Sequence, residues 1–206
     1  MWIKICGIKR LEDAVAAYRF GADAIGFIFA DSPRRVTPER AREISRCMPY
    51  GLSRVGVFVD STPDEVRETA EYCGLDLVQL HGNEDEEYCE SLGDGVIKAL
   101  RVNEETDVLQ AWGFGNRPLL LDGYCSGGNG AQKRYTCLLA LLKPGREVIV
   151  AGGLDPGNVA KAVSTLRPWG VDVASGVELS PGVKDHALMY SFIERARKAE
   201  YEVNES

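Results

Sequence analysis

Histidine is scarce in this chain, at 2 of 206 residues. The six cysteines are Cys6, Cys47, Cys73, Cys89, Cys125 and Cys137, and none stands in a C-x-x-C pair. Thiols this widely spaced, with so little imidazole, argue against a zinc cluster, and no metal is expected. Basic excess is also missing: 24 Lys and Arg stand against 31 Asp and Glu, a net charge of −7. That disfavours nucleic acid or an anionic membrane as partner. A small anionic substrate stays compatible, because a local site can be positive on an acidic protein. No apolar run is long enough to cross a bilayer, and the opening MWIKICGIK has no signal-peptide core. Low-complexity stretches and linkers are lacking too. With 45% hydrophobic residues the chain can bury a core without staples, so the cysteines read as reduced thiols of a cytoplasmic protein.

What the chain does have is rhythm. Strands are expected at Trp2–Cys6, Ala24–Phe29, Arg54–Val59, Leu75–Leu80, Val96–Leu100, Pro118–Leu121, Glu147–Val150 and Val171–Ala174. Helices alternate with them at Leu11–Phe20, Pro38–Met48, Pro63–Cys73, Glu84–Leu92, Glu104–Trp112, Tyr135–Leu142, Asn158–Leu166 and Asp185–Lys198. Runs such as IGFIF, VGVFV and PLLLD are continuously apolar, as expected of parallel strands covered on both faces. Strict alternation selects an α/β architecture, with a doubly wound open sheet as the rival. Eight repeats in 206 residues favour closure into a (β/α)8 TIM barrel, a single domain over residues 1–206 with a polar tail, 199–206, expected to fray. The Gly-rich stretch Gly123–Ala131 reads as a loop, because the rhythm resumes after it.

In such a barrel, chemistry sits at the carboxyl ends of the strands. Cys6, Arg34-Arg35, His81, Asp122, Gly152-Gly153 and Ser175-Gly176 all fall there, whereas strand interiors are apolar. Two glycine-bearing loops after adjacent late strands suit a phosphate, because glycine lets the backbone approach closely; tight turns are the plainer alternative. Asp122 ends an apolar strand, where desolvation is expected to raise its pKa and suit it to general-acid work. A helix cap or ion pair would be a structural role instead. Cys6, beside Lys4 and Gly7, can act as a base if local positive charge lowers its pKa; the other five cysteines read as small core residues, Cys125 being the least clear. Arg35 suits a carboxylate or phosphate, with its neighbour Arg34 the weaker candidate. His81 can bond substrate or a backbone carbonyl.

Several motifs, read together, carry a resemblance. They are KICGI at 4–8, GADAIGFIF at 21–29, SPRRV at 32–36, VGVFV at 55–59, VQLHG at 78–82, LLLD at 119–122, VAGGLDPGNV at 150–159, VDVASGVE at 171–178 and PGVKD at 181–185. In that order they resemble the phosphoribosylanthranilate isomerases of tryptophan biosynthesis, from the first strand to the last helix. The resemblance implies an aldose–ketose isomerase that rearranges N-(5′-phosphoribosyl)anthranilate to 1-(2-carboxyphenylamino)-1-deoxyribulose 5-phosphate without metal or organic cofactor. It implies Asp122 as general acid and Cys6 as general base. Arg35 would hold the anthranilate carboxylate, and His81, Gly152, Gly153, Ser175 and Gly176 would contribute to substrate binding, the glycine loops at the phosphate. A monomer or a homodimer fits equally.

One stretch departs from the family pattern. The glycines Gly127, Gly128 and Gly130 remain, but Lys133-Arg134-Tyr135 stands where a Phe-Asp-Trp triplet is usual, which bears on loop closure and substrate preference. Two rival readings keep the fold. The related isomerase of histidine biosynthesis resembles a two-aspartate design, with an aspartate in place of Cys6 and two similar half-barrels. A non-catalytic barrel binding a phosphorylated metabolite or a partner protein would need the loops but neither Cys6 nor Asp122.

Overall fold

Residues 1–101, 111–123, 142 and 145–205 are described by the structure, a computed structural model. The helices expected at Glu104–Trp112 and Tyr135–Leu142 fall almost wholly outside the described residues, as do the loop from residue 124 onward, Cys125 and Cys137.

Eight parallel strands close into a barrel in chain order: β1 (Trp2–Cys6), β2 (Ala24–Ile28), β3 (Ser53–Phe58), β4 (Leu77–Leu80), β5 (Val96–Arg101), β6 (Leu119–Asp122), β7 (Val148–Ala151) and β8 (Gly170–Val173). β1 closes on β8 in register Trp2 to Gly170 and Ile5 to Val173. The described helices are α1 (Leu11–Phe20), α2 (Pro38–Cys47), α3 (Pro63–Cys73), α4 (Glu86–Ser91), α5 (Val159–Leu166) and α6 (His186–Asn204). The single-domain TIM barrel expected from the rhythm is the fold observed.

Strand parity explains the continuous apolar runs. Ile3, Ile5, Ile25, Phe27, Leu119, Leu121, Val148 and Val150 point outward into one core shared with the helices. Ala24, Val55, Ile97, Ala99, Leu120, Ile149 and Ala151 form a second, smaller core inside the barrel, with Trp2 and Leu77 packed against it. Both faces are buried, so alternation disappears from the sequence. Trp2 stacks on Trp169 at 5.4 Å.

The helix starts follow local chemistry. Thr62 caps α3 by accepting from the backbone N–H of Glu65, whose carboxylate receives the Thr62 N–H in return, and Pro63 opens the first turn. α4 starts two residues later than its pattern suggests. Asp85 is its cap, accepting from Tyr88 N–H at 2.8 Å. Glu84 turns inward to Lys98 at 2.6 Å and to the N–H groups of Asp60 and Gly82, both at 2.9 Å. Two features were not expected. A short antiparallel pair, β9 (Glu178–Ser180) and β10 (Val183–Lys184), follows a 3-10 turn at Ser175–Val177. The segment from residue 199 does not fray at once but continues α6 to Asn204, because Ala199 is buried and Glu200 pairs with the N-terminal amine.

Candidate active site

On two strands a mouth residue has a polar residue two positions earlier, on the same inward face. Cys6 follows Lys4 on β1, and His81, just past β4, follows Gln79. Asp172 occupies the equivalent inner level on β8, where it is paired in register with Lys4. Lys4 is fully buried, and its ammonium donates to Gln79 Oε1 at 2.7 Å and to Asp172 Oδ1 at 2.9 Å. Gln79 Nε2 lies 3.1 Å from His81 Nδ1, and His81 Nε2 lies 3.3 Å from Asp122 Oδ2. A polar chain thus crosses the barrel from Asp172 to Asp122. Gly26 makes room for it: a Cβ there would sit 2.8 Å from Cys6 Sγ and 2.9 Å from Lys4 Cε.

Above this chain is a cavity of about 250 Å³, lined by Cys6, Gln79, His81, Asp122, Gly152, Gly153, Asp172 and Ser175 among others. The structure therefore gathers six of the expected site residues around one space. It leaves two outside. Gly176 does not line the cavity; a Cβ there would collide with the carbonyl oxygen of Leu154, so this glycine lets the loops after β7 and β8 pack together. Arg35 is exposed and borders a neighbouring cleft with Phe29, Phe58 and Glu65. Arg34 is taken up by Glu178, with Nε 3.0 Å from both carboxylate oxygens and Nη2 at 2.8 Å from Oε2.

The glycine doublet after β7 is conformationally required. Gly152 and Gly153 have φ of 90° and 72°, which side chains resist. A Cβ on Gly152 would also press within 2.5 Å of Asp122 Oδ1.

The electrostatics run against one expectation and leave one condition unmet in the resting site. Asp122 was expected to have a raised pKa; instead the hydrogen bond from His81 holds it below the ordinary carboxylate value, and burial only partly opposes this. For Cys6 the expectation was conditional: a base if local positive charge lowers its pKa. Burial, helped by the Asp172 charge, pushes the thiol above its ordinary value and outweighs the pull of Lys4 and Lys184. At rest the pair is thiol and carboxylate.

Buried ion pairs frame the mouth. Lys184 donates to Glu178 at 2.9 Å and to the Ala174 carbonyl at 2.9 Å. Burial lowers the Lys184 pKa despite that partner. Burial alone would raise Glu178, but Arg34 and Lys184 bring it below the usual range. These groups and the Lys98–Glu84 pair were not singled out from the sequence as ion pairs. For Lys4, Lys98 and Asp172 the available signal was a charge inside an apolar strand, as in WIKIC, VIKAL and GVDV. Among the described residues no group of three or more His, Cys, Asp or Glu side chains is placed to hold a metal. No helix among them is long and apolar enough to cross a membrane.

Comparison with known proteins gives a consistent picture. Residues 3–195 match the family described as N-(5′-phosphoribosyl)anthranilate (PRA) isomerase. The N-(5′-phosphoribosyl)anthranilate isomerase of Thermotoga neapolitana is 46% identical over 200 residues, covering 95% of this chain and 98% of that protein. A crystal structure of a phosphoribosyl anthranilate isomerase in complex with reduced 1-(o-carboxyphenylamino)-1-deoxyribulose 5-phosphate superposes with TM-score 0.88 at 40% identity, covering 96% and 99% of the two chains. Monomers generated from the dimeric enzyme of Thermotoga maritima also superpose with TM-score 0.88, at 39% identity and the same coverage.

Proposed function

The chain belongs to the N-(5′-phosphoribosyl)anthranilate isomerase family, and on that premise we propose that this isomerase of tryptophan biosynthesis uses Asp122 as general acid and Cys6 as general base. The substrate is N-(5′-phosphoribosyl)anthranilate and the product 1-(2-carboxyphenylamino)-1-deoxyribulose 5-phosphate. The observation that carries the reading is the single cavity onto which Cys6, Asp122 and the glycine doublet all open.

The chemistry follows from that placement. Asp122 gives its proton to the ribose ring oxygen as the bond from that oxygen to C1′ breaks, and the nitrogen lone pair forms the C1′–nitrogen double bond. The cation so formed acidifies the C2′ hydrogen, which the Cys6 thiolate removes. The C–H electrons become a C1′–C2′ double bond and neutralise the nitrogen. Loss of the C2′ hydroxyl proton and protonation at C1′ then complete the ketose. The nitrogen is the electron source, so the route calls on no cofactor.

The resting thiol–carboxylate pair contains the same number of protons as the working thiolate–acid pair. Binding therefore needs to redistribute one proton, not to add one. A dianionic phosphate and an anionic carboxylate entering beside Asp122 favour its protonated form, and the developing substrate cation favours the thiolate.

Gly153 and Ser175 line the cavity and offer the phosphate their backbone, with Gly176 permitting the loop approach. Arg35, whose side chain has no hydrogen bond or ion pair among the described residues, reaches for the anthranilate carboxylate; Arg34 is already committed to Glu178. A soluble cytoplasmic setting suits a metabolite-level isomerase of this kind.

The test is a fluorescence assay of purified protein that follows consumption of the anthranilate-type substrate. Cys6→Ala and Asp122→Asn should each lower kcat by roughly 10²–10⁴-fold with little change in KM. Wild-type turnover in both variants would remove the catalytic assignment.

A further inference from the structure

The structure assigns to Gln79 a positioning role in the reaction proposed above, a reading on which this inference rests: Gln79 fixes the proton of His81 on Nε2, where it faces Asp122. The argument begins at Lys4. A buried ammonium has three donors and no acceptor, and Lys4 Nζ lies 2.7 Å from one end of the Gln79 amide. That end must be the carbonyl. The other end is then the NH₂ group, 3.1 Å from His81 Nδ1, and it can only donate. Nδ1 must therefore carry the lone pair, and the ring proton must sit on Nε2, 3.3 Å from Asp122 Oδ2. A charge held by Asp172 at 2.9 Å on one side of the barrel thus sets the tautomer of an imidazole on the other.

The consequence is chemical. With Nε2–H facing it, Asp122 is oriented, and its carboxylate is stabilised as soon as its proton has left. The other tautomer would set a ring lone pair against the carboxylate. Gln79 is 1% exposed, so water does not compete for either end of the amide.

The experiment is nitrogen NMR on protein labelled at histidine, which has only 2 such residues; His186→Asn assigns the pair. Substrate-free wild-type protein should show His81 protonated at Nε2 with a hydrogen-bonded, unprotonated Nδ1. Gln79→Glu places an acceptor at Nδ1 while the Asp122 carboxylate still accepts at Nε2, so it should put a proton on Nδ1 as well, lowering kcat roughly 10–100-fold while KM stays within about threefold. Gln79→Met removes the donor without adding charge. It leaves the Asp122 carboxylate alone to hold the ring proton, so the Nδ1 signal should lose its hydrogen-bond shift with a similar fall in kcat, and it carries the test if Gln79→Glu does not fold. An unchanged His81 spectrum in the folded variants overturns the inference, and so does a changed spectrum with undiminished kcat. The tautomer is read without substrate, so its failure is distinct from a failure of wild-type turnover, which would strike the reading of the site instead.

Discussion

Arg34 and Glu178, 144 residues apart in the chain, meet in a two-pronged ion pair with Nη2–Oε2 at 2.8 Å. The pair ties the loop after β2 to the β9–β10 hairpin. Glu178 also receives Lys184 and the Gly182 N–H, so three residues of this rim converge on one carboxylate. Of two adjacent arginines, one is thereby a strut, and the other is the one assigned above to the substrate carboxylate by proposal.

The two arginines should separate in mutants. Arg35→Ala is expected to raise KM about 10–100-fold with near-native stability, since it removes a ligand contact from an exposed side chain. Glu178→Ala strands Arg34 and the buried Lys184, and should destabilise the fold by about 3 kcal/mol. Urea midpoints and steady-state kinetics on both variants distinguish the roles. Equal effects on KM and stability from the two changes would contradict them.

Apart from a step from the substrate's own phosphate, the pH dependence of kcat/KM should be flat over a wide span. On the proposed mechanism, activity requires one proton shared by the Cys6–Asp122 pair. Acid adds a second proton as pH falls through the lowered Asp122 value, and alkali removes the last as pH rises through the raised Cys6 value. Both enzyme limbs therefore lie outside the interval from about pH 4 to about pH 8.5 set by the ordinary groups. The phosphate ester contributes its own step near pH ~6. A thiol-dependent limb well inside the interval, absent when Cys6 is replaced, would show that the resting states are assigned wrongly.

Stability should decline in acid. Asp13 is fully buried and bonded to Arg10 and His186, whose hydrogen bonds outweigh burial and depress its pKa; Glu178 is depressed likewise. Groups depressed in the folded state take up protons more readily when unfolded. Their contribution is complete above about pH 5 and disappears as pH falls through the folded values. Asp13→Asn should lower the neutral-pH Tm and shallow the acid slope. An acid slope as steep as wild type would exclude Asp13 as a source.

Two glycines with nearly the same backbone angle should behave differently. Gly21 has φ of 92° and open space around it, whereas Gly152 has φ of 90° and Asp122 beside it. Gly21→Ala is expected to cost about 1 kcal/mol of stability and no activity. Gly152→Ala should cost more, about 1–3 kcal/mol, and should also depress kcat by displacing the carboxylate. Unchanged kcat in Gly152→Ala would mean that Asp122 tolerates the shift.

The Lys98–Glu84 pair, 2.6 Å apart with both side chains almost fully buried, anchors the loop between β4 and α4. Lys98→Met should lose about 3–5 kcal/mol because Glu84 remains buried without its cation. The urea midpoint should fall with an unchanged m-value. A loss under about 1 kcal/mol would place the pair among weak surface bridges.

Much of the fold was legible because periodicity is local. A run such as VGVFV declares a strand covered on both faces, and Thr62-Pro63 followed by Glu65 declares a helix start, whatever lies elsewhere in the chain. The residues at the strand ends were legible for the same reason: Cys6, His81 and Asp122 each interrupt or end an apolar run, and the barrel topology brings such ends together. Gly176 shows the limit. The sequence places it beside Ser175, yet its service is to let Leu154 pass, a contact between two loops.

By itself, then, the sequence determined the alternation of elements, the closed barrel, and the set of chemically capable side chains at its mouth. Only the tertiary structure decided how those side chains are charged and aimed. Which arginine is free depends on Glu178, and the Asp122 pKa depends on a hydrogen bond from His81. That bond depends in turn on Gln79, Lys4 and Asp172 from three different strands. Hydrogen bonds and burial act over a few ångströms through space, so groups distant in the chain set the protonation of the site.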